Sequence, residues 1–271
     1  MDYIQIAFFT KEEALREMLI ALLTDEGFEG FLETDETLIA TIPGDAYKQE
    51  VVTALATAHH IHFEEQIIPK QNWNAVWEAS FQPVIVNNFC TVRAQFHELP
   101  VTTPYEIVIT PKMSFGTGHH ATTQLMIEGM QNLSFQGLNV LDFGTGTGIL
   151  AILACQLGAA YVTGIDNDEW SLVNAQENAA FNGCSIALSQ ASLEDLPPAH
   201  YDIILANINR NILLQYMESM RDQIVDKGLL LLSGILEADQ QAIKEAAVAA
   251  GLSPQWEQSR NGWMALCFQK G

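Results

Sequence analysis

The chain has 271 residues, 48% of them hydrophobic and 17% charged. That is enough apolar material for two domains with separate cores, and nothing in it requires disulfides or a metal for folding. With 33 acidic against 12 basic residues the formal net charge is −21, a field that repels phosphate backbones and suits a basic protein partner, so no direct nucleic-acid site is expected. No run approaches the roughly 18 apolar residues of a membrane span, and MDYIQIAFFTKEE turns acidic before a signal peptide could form, so a soluble, cytoplasmic, monomeric protein without membrane contact is expected.

Residues 3 to 68 alternate strand-like and helix-like stretches: IQIAFF, KEEALREMLIALLTDEG, FEGFLETD, TLIATIP, DAYKQEVVTALATA and HFEEQIIP. That order is βαββαβ, the pattern of a small α+β, ferredoxin-like domain. Thr10 ahead of Glu13 suggests a capping box, and Gly27 is placed to end the first helix. A unit this small, without a polar cluster suited to catalysis, is expected to recognise a substrate. Residues 69–104 carry two tryptophans and several prolines and are taken as a linker and edge segment.

From residue 105 to 271 near-continuous apolar strands alternate with amphipathic helices, as in an α/β domain with a parallel sheet covered on both faces. The strands are NVLDFG, YVTGID, SIALSQA, YDIILANI and GLLLLSGIL, and a closing pair around SPQWEQ and WMALCFQ predicts an antiparallel edge. Cys90, Cys155, Cys184 and Cys267 are scattered and form no C-x-x-C pair, and neither His59-His60 nor His119-His120 has a carboxylate at ligand spacing. No metal site is expected.

The stretch VLDFGTGTGILAI, residues 140–152, sits where an open α/β sheet binds ligands. A dinucleotide fingerprint needs G-x-G-x-x-G, whereas here Gly144 and Gly146 are followed by Gly148, with Ile149 at the third fingerprint position. Asp166 ends the next strand, 22 residues after Gly144, where a carboxylate can accept hydrogen bonds from both hydroxyls of a ribose. Asp168 is the better candidate for the cap of the following helix. LANINRN, residues 205–211, ends a strand with Asn207 and Asn209, either of which could cap the next helix; Asn207-Ile208-Asn209 also resembles the Asn-Pro-Pro-aromatic motif of amino-group methyltransferases, which implies a carboxamide that accepts from a neutral amine and aims that amine's lone pair. In ITPKMSFGTGHHATTQLM, residues 109–126, Thr122 or Thr123 could supply a hydroxyl to a ligand carboxylate.

The G-x-G-x-G spacing after Asp142 resembles motif I of class I S-adenosylmethionine-dependent methyltransferases. FGTGHHATT, DFGTGTGILAI with LGA and GID, LANI and LLLSGIL together resemble the bacterial methyltransferases of large-subunit ribosomal protein number eleven. The resemblance implies a Rossmann-like fold, S-adenosyl-L-methionine as methyl donor with S-adenosyl-L-homocysteine as product, and methylation of lysine and N-terminal amino groups of that basic ribosomal protein. Methyl-donor contacts carried over by motif fall on Thr123, Gly144, Asp166 and Asn207, with Phe115, Gly116 and Gly146 added as neighbours; Asp142, the leading acid, is expected in the same site to orient either the loop or the ligand's amino group, and Asn207 is also the expected catalytic residue. In the family's usual GTGTHPTT, threonine and proline stand where this chain has His119 and Ala121, and a cysteine is common where it has Thr145. A methyltransferase of the same fold acting on another protein, RNA or a small molecule is the alternative.

Overall fold

The computed structural model describes residues 2–68, 81–98, 100, 102–111, 116–196 and 200–271. It divides into two compact units, Met1–Ser80 and Phe81–Gly271.

In the first unit β1 (Tyr3–Phe9), α1 (Glu13–Asp25), β2 (Gly30–Glu33), β3 (Thr37–Pro43), α2 (Gln49–Ala58) and β4 (His62–Ile68) follow in the expected order. The strands form one antiparallel sheet in the order β2-β3-β1-β4. Alternation sends Ile4, Ile6 and Phe8 of β1 inward with Leu38, Ala40 and Ile42 of β3, and Leu19, Leu23 and Val52 of the helices complete that core. The first helix starts differently from the sequence expectation. Glu12 is its N-cap and offers no side-chain cap, while the Thr10 hydroxyl accepts from Glu12 N at 3.2 Å one step too early for a capping box. Gly27 does end the helix: at φ 92° its N–H donates to the Thr24 carbonyl, and Phe28 N–H donates to that of Leu23.

The second unit opens with β5 (Val84–Val86) and β6 (Cys90–Ala94), which join β7 (Tyr105–Ile109) in a three-stranded sheet. The segment expected as linker and edge therefore divides: residues 69–80 lie outside the described residues, and 81–98 supply two strands to the second unit. Then come α3 (Ala121–Gln131), β8 (Asn139–Phe143), α4 (Ile149–Gln156), β9 (Tyr161–Asp166), α5 (Glu169–Phe181), β10 (Ala187–Gln190), β11 (Tyr201–Asn207), α6 (Arg210–Gln223), β12 (Ile224–Leu236), α7 (Gln240–Ala249), β13 (Leu252–Arg260) and β14 (Trp263–Lys270). Their sheet runs β10-β9-β8-β11-β12-β14-β13, parallel as far as β12 and antiparallel beyond it.

Both faces of this sheet are covered, which is why its strands lack polar alternation. Val140, Ile203 and Leu205 pack with α3 and α4, while their neighbours Leu141, Ile204 and Ala206 pack with Leu213, Met217 and Ile243 of α6 and α7. Helix α4 is apolar all round, and Ile149 to Ala154 are all buried. Strand order reverses direction between β8 and β11, opening a crevice beyond the carboxyl ends of the parallel strands, where such folds bind ligands.

Candidate functional site

The turn between β8 and α4 is residues 144–148, and its three glycines all hold positive φ: 77° at Gly144, 53° at Gly146 and 79° at Gly148. The first glycine is also a matter of space, since a Cβ there would lie 2.3 Å from Ile208 Cγ2. Gly144 N and Thr145 N both donate to the Ile165 carbonyl at 2.9 Å, which stitches the turn to the end of β9. The backbone thus lies open at the floor of the crevice.

Asp166 completes that stitching. Its Oδ2 accepts from Gly146 N at 2.9 Å and its Oδ1 from Asp168 N at 3.0 Å. An ionised carboxylate offers about four acceptor positions, so two are left for a diol. Asp168 is the cap of α5, accepting from Ser171 N at 3.0 Å and Trp170 N at 3.4 Å, and these bonds with the Ser171 hydroxyl lower its carboxyl pKa.

Asp142 holds the loop and does not line the crevice. It is 1% exposed; its Oδ2 accepts from the Thr145 hydroxyl at 2.8 Å and from Ala151 N at 3.2 Å. Its side chain therefore braces the turn from beneath the start of α4, the first of the two roles open to it. Burial pushes its carboxyl up to about 7 against these two hydrogen bonds, with a smaller contribution from the charge of Asp166.

From the other side of the sheet reversal, β11 delivers Asn207. Its Nδ2 donates to the Thr123 hydroxyl at 3.4 Å, and its Oδ1 is buried with no hydrogen-bond partner among the described residues. Thr123 itself is 0% exposed in the first turn of α3 and stands behind Asn207, while Thr122 lines the crevice. Asn209 caps α6, accepting from Asn211 N at 3.1 Å and Ile212 N at 3.2 Å. The two asparagines of LANIN therefore do different work.

These groups border one cavity of about 560 Å³, within the range of small-molecule sites. Of the residues expected at the methyl donor, Gly116, Gly144, Gly146, Asp166 and Asn207 line it; Phe115 lies outside the described residues. Gly116 has φ 102°, and the Thr147 hydroxyl donates to its carbonyl at 2.7 Å, joining the loop before α3 to the glycine turn.

Sequence reasoning missed several walls of the cavity. Gly234 faces Ile208 so closely that a Cβ there would lie 2.1 Å from the Ile208 carbonyl oxygen, and its φ is 90°. Trp263 is brought to the rim by the Asn261-Gly262 hairpin turn, both residues at positive φ, and meets the His120 ring edge-on at 4.7 Å. The Asn-Gly dipeptide was a signal that could have located that turn. Phe143 and Tyr216 add a second aromatic pair at 5.5 Å.

The site fits S-adenosyl-L-methionine on its own chemistry. A glycine backbone without side chains would take the amino-acid part, the spare acceptors of Asp166 would take ribose hydroxyls, and the unpartnered Asn207 oxygen supplies an acceptor beside them.

Comparisons with known proteins agree. The family model described as Ribosomal protein L11 methyltransferase (PrmA) matches residues 9–271. A ribosomal protein L11 methyltransferase of Porphyromonas gingivalis is 41% identical over 99% of this chain and 98% of its own length, and one of Bacteroides fragilis is 37% identical over 99% of both. Among solved structures, a ribosomal protein L11 methylase of Lactobacillus delbrueckii subsp. bulgaricus superimposes with a TM-score of 0.65 at 30% identity, covering 70% of this chain and 99% of that one. A methyltransferase of Pyrococcus furiosus, TM-score 0.51 at 18% identity, shares the fold over 61% of this chain and 89% of its own. The second unit thus has the mixed, mostly parallel sheet of class I methyltransferases, and the chain belongs to the ribosomal protein L11 methyltransferase family.

Proposed function

We propose that this chain transfers methyl groups from S-adenosyl-L-methionine to lysine side chains and the N-terminal α-amino group of ribosomal protein L11. The observation that carries the chemistry is the buried, unpartnered Oδ1 of Asn207 at the crevice, anchored through Nδ2 to Thr123. The donor, when bound, supplies an electrophilic methyl on a sulfonium. Asn207 accepts a hydrogen bond from the neutral acceptor amine and so directs its lone pair along the line of displacement. A carboxamide does this without placing a full negative charge beside a cation that must be attacked by a neutral base.

The amine enters deprotonated, because only its neutral form has a lone pair to donate. Exclusion of water by the Trp263, His120 and Ile208 walls favours that form, since burial disfavours an ammonium. Asp142 is not placed to take the proton: it is enclosed beneath the turn. Catalysis in this account comes from positioning and desolvation.

The first unit is assigned the role of gripping L11 as a ferredoxin-like recognition module of residues 1–68, and the catalytic domain of 105–271 takes in strands β5 and β6 from the edge part of the 69–104 segment. The sheet order β2-β3-β1-β4 with both helices on one core supports the first assignment, and the net charge of −21 supports a basic partner. The enzyme is taken to act as a cytoplasmic monomer. Removal of residues 1–68 is expected to abolish methylation of L11 while calorimetric binding of S-adenosyl-L-homocysteine persists; undiminished methylation by the shortened chain would refute the grip. Binding of NAD in place of S-adenosyl-L-homocysteine by the full chain would refute the methyl-donor site.

A further inference from the structure

The loop that walls the cavity ahead of α3 is fastened to the start of the second unit through His119, and His97 holds the same strand start from the other side. His119 Nε2 lies 2.9 Å from the Gln82 carbonyl oxygen, and His97 Nε2 lies 2.6 Å from that of Phe81. A carbonyl only accepts, so in both rings Nε2 carries the proton. For His97 the other nitrogen agrees, since Nδ1 accepts from Ala94 N at 3.2 Å. The Phe81 ring lies between them, stacked on His97 at 6.0 Å and edge-on to His119 at 4.6 Å. Two successive carbonyls and one aromatic ring are thus clasped by two imidazoles.

What the clasp restrains is the turn of residues 116–120. Gly116 and His120 line the cavity, and Gly116 is tied by Thr147 to the glycine turn. At the helix side Gln124 Nε2 donates to the carbonyl of His119 at 3.1 Å. Gly118, at φ 88°, rests on Val92 of β6, where an added Cβ would come within 3.1 Å of Val92 Cγ1. On the remaining side the link from a loop side chain to the strand start is His119, whose Nδ1 is 3.3 Å from the Thr117 hydroxyl. His119 is also the residue at which this chain has an imidazole in place of the threonine of GTGTHPTT.

We propose that His119 is a positioning residue of the methyl-donor pocket: its Nε2–H bond to the Gln82 carbonyl holds the 116–120 turn in the place that binding requires. This rests on the methyl-donor assignment above. His119 touches no reacting atom in this account, so its removal acts on affinity and leaves the chemical step alone.

The test uses three full-length proteins: the parent, His119→Phe and His119→Gln. The phenylalanine keeps an aromatic ring against Phe81 and removes the donor, while the glutamine Nε2 can reach the position of the imidazole Nε2. An exposed hydrogen bond sets a modest scale, so His119→Phe is expected to weaken S-adenosyl-L-homocysteine binding and raise the KM for S-adenosyl-L-methionine by roughly threefold to tenfold. Its kcat is expected to stay within about twofold of the parent, and His119→Gln is expected to restore affinity and KM to within about twofold, all measured at least 15 °C, as an approximate margin, below each unfolding midpoint. Unchanged affinity in His119→Phe, an equal loss in both variants, or a loss carried by kcat would each overturn the proposal. Failure of the parent itself to bind S-adenosyl-L-homocysteine would instead sink the methyl-donor assignment.

Discussion

Asn207 Nδ2 donates to the Thr123 hydroxyl across 3.4 Å, holding a carboxamide whose oxygen is buried without a partner among the described residues. A buried acceptor left unpaired costs on the order of 1–3 kcal/mol, and for Asn207, which lines the cavity, a ligand that completes the bond would offset that cost. Asn207→Ala is expected to lower kcat by roughly two orders of magnitude, the scale of a lost orienting contact, with the affinity for S-adenosyl-L-homocysteine changed by no more than about threefold. Steady-state kinetics and calorimetry on one preparation check it. A loss confined to affinity would remove the orienting role.

Thr123 has a correspondingly indirect part. It is not among the residues that line this cavity and holds Asn207 from behind, so Thr123→Val, which keeps shape and removes the hydroxyl, is expected to reduce kcat by roughly tenfold and leave donor affinity near the parent value. If donor affinity alone fell, Thr123 would be a direct contact after all.

The backbone of Ile208 passes over Gly234 with no room for a side chain, at a place where β12 slips register against β14. Alanine at residue 234 would face both the 2.1 Å contact and a φ of 90°. Gly234→Ala is expected to push the LANIN loop outward, costing at least tenfold in kcat and roughly 1–3 kcal/mol in unfolding free energy. Denaturant melts together with kinetics give both readouts.

Much of the site was legible in the chain because its determinants are local. Glycine spacing and the strand-ending acids are set by one turn, and Asp168 and Asn209 are recognisable caps because their partners lie two or three residues on. What stayed hidden depends on residues distant in sequence. The separation of Asn207 from Thr123 is 84 positions, and the Ile208–Gly234 approach exists only once β11 and β12 pair. The insertion of β14 between β12 and β13 likewise follows from sheet closure, which an alternating pattern in the last 20 or so residues does not encode. For Asp142 the motif leaves open whether the acid serves the turn or a ligand, and only packing shows its Oδ2 facing the Thr145 hydroxyl and Ala151 N.

That burial gives Asp142 a pH signature. A carboxyl raised from 3.8 to about 7 binds a proton more tightly in the folded chain, so its contribution to stability is fully present below about pH 4 and is lost as pH rises through about 7. Asp142→Asn keeps an acceptor for Thr145 and Ala151 and cannot ionise. Between pH 5 and 8 the parent is expected to lose about 2 kcal/mol more unfolding free energy than the variant. Parallel slopes in urea melts at several pH values would show that Asp142 is ionised throughout.

The most direct measurement of the account is methyl transfer from labelled S-adenosyl-L-methionine into ribosomal proteins of cells that lack this enzyme, followed by mass mapping of the labelled positions. Label is expected on L11, at lysine side chains and the N-terminal amine, entering roughly a hundredfold more slowly with Asn207→Ala. Label confined to RNA, or to proteins other than L11, would contradict it.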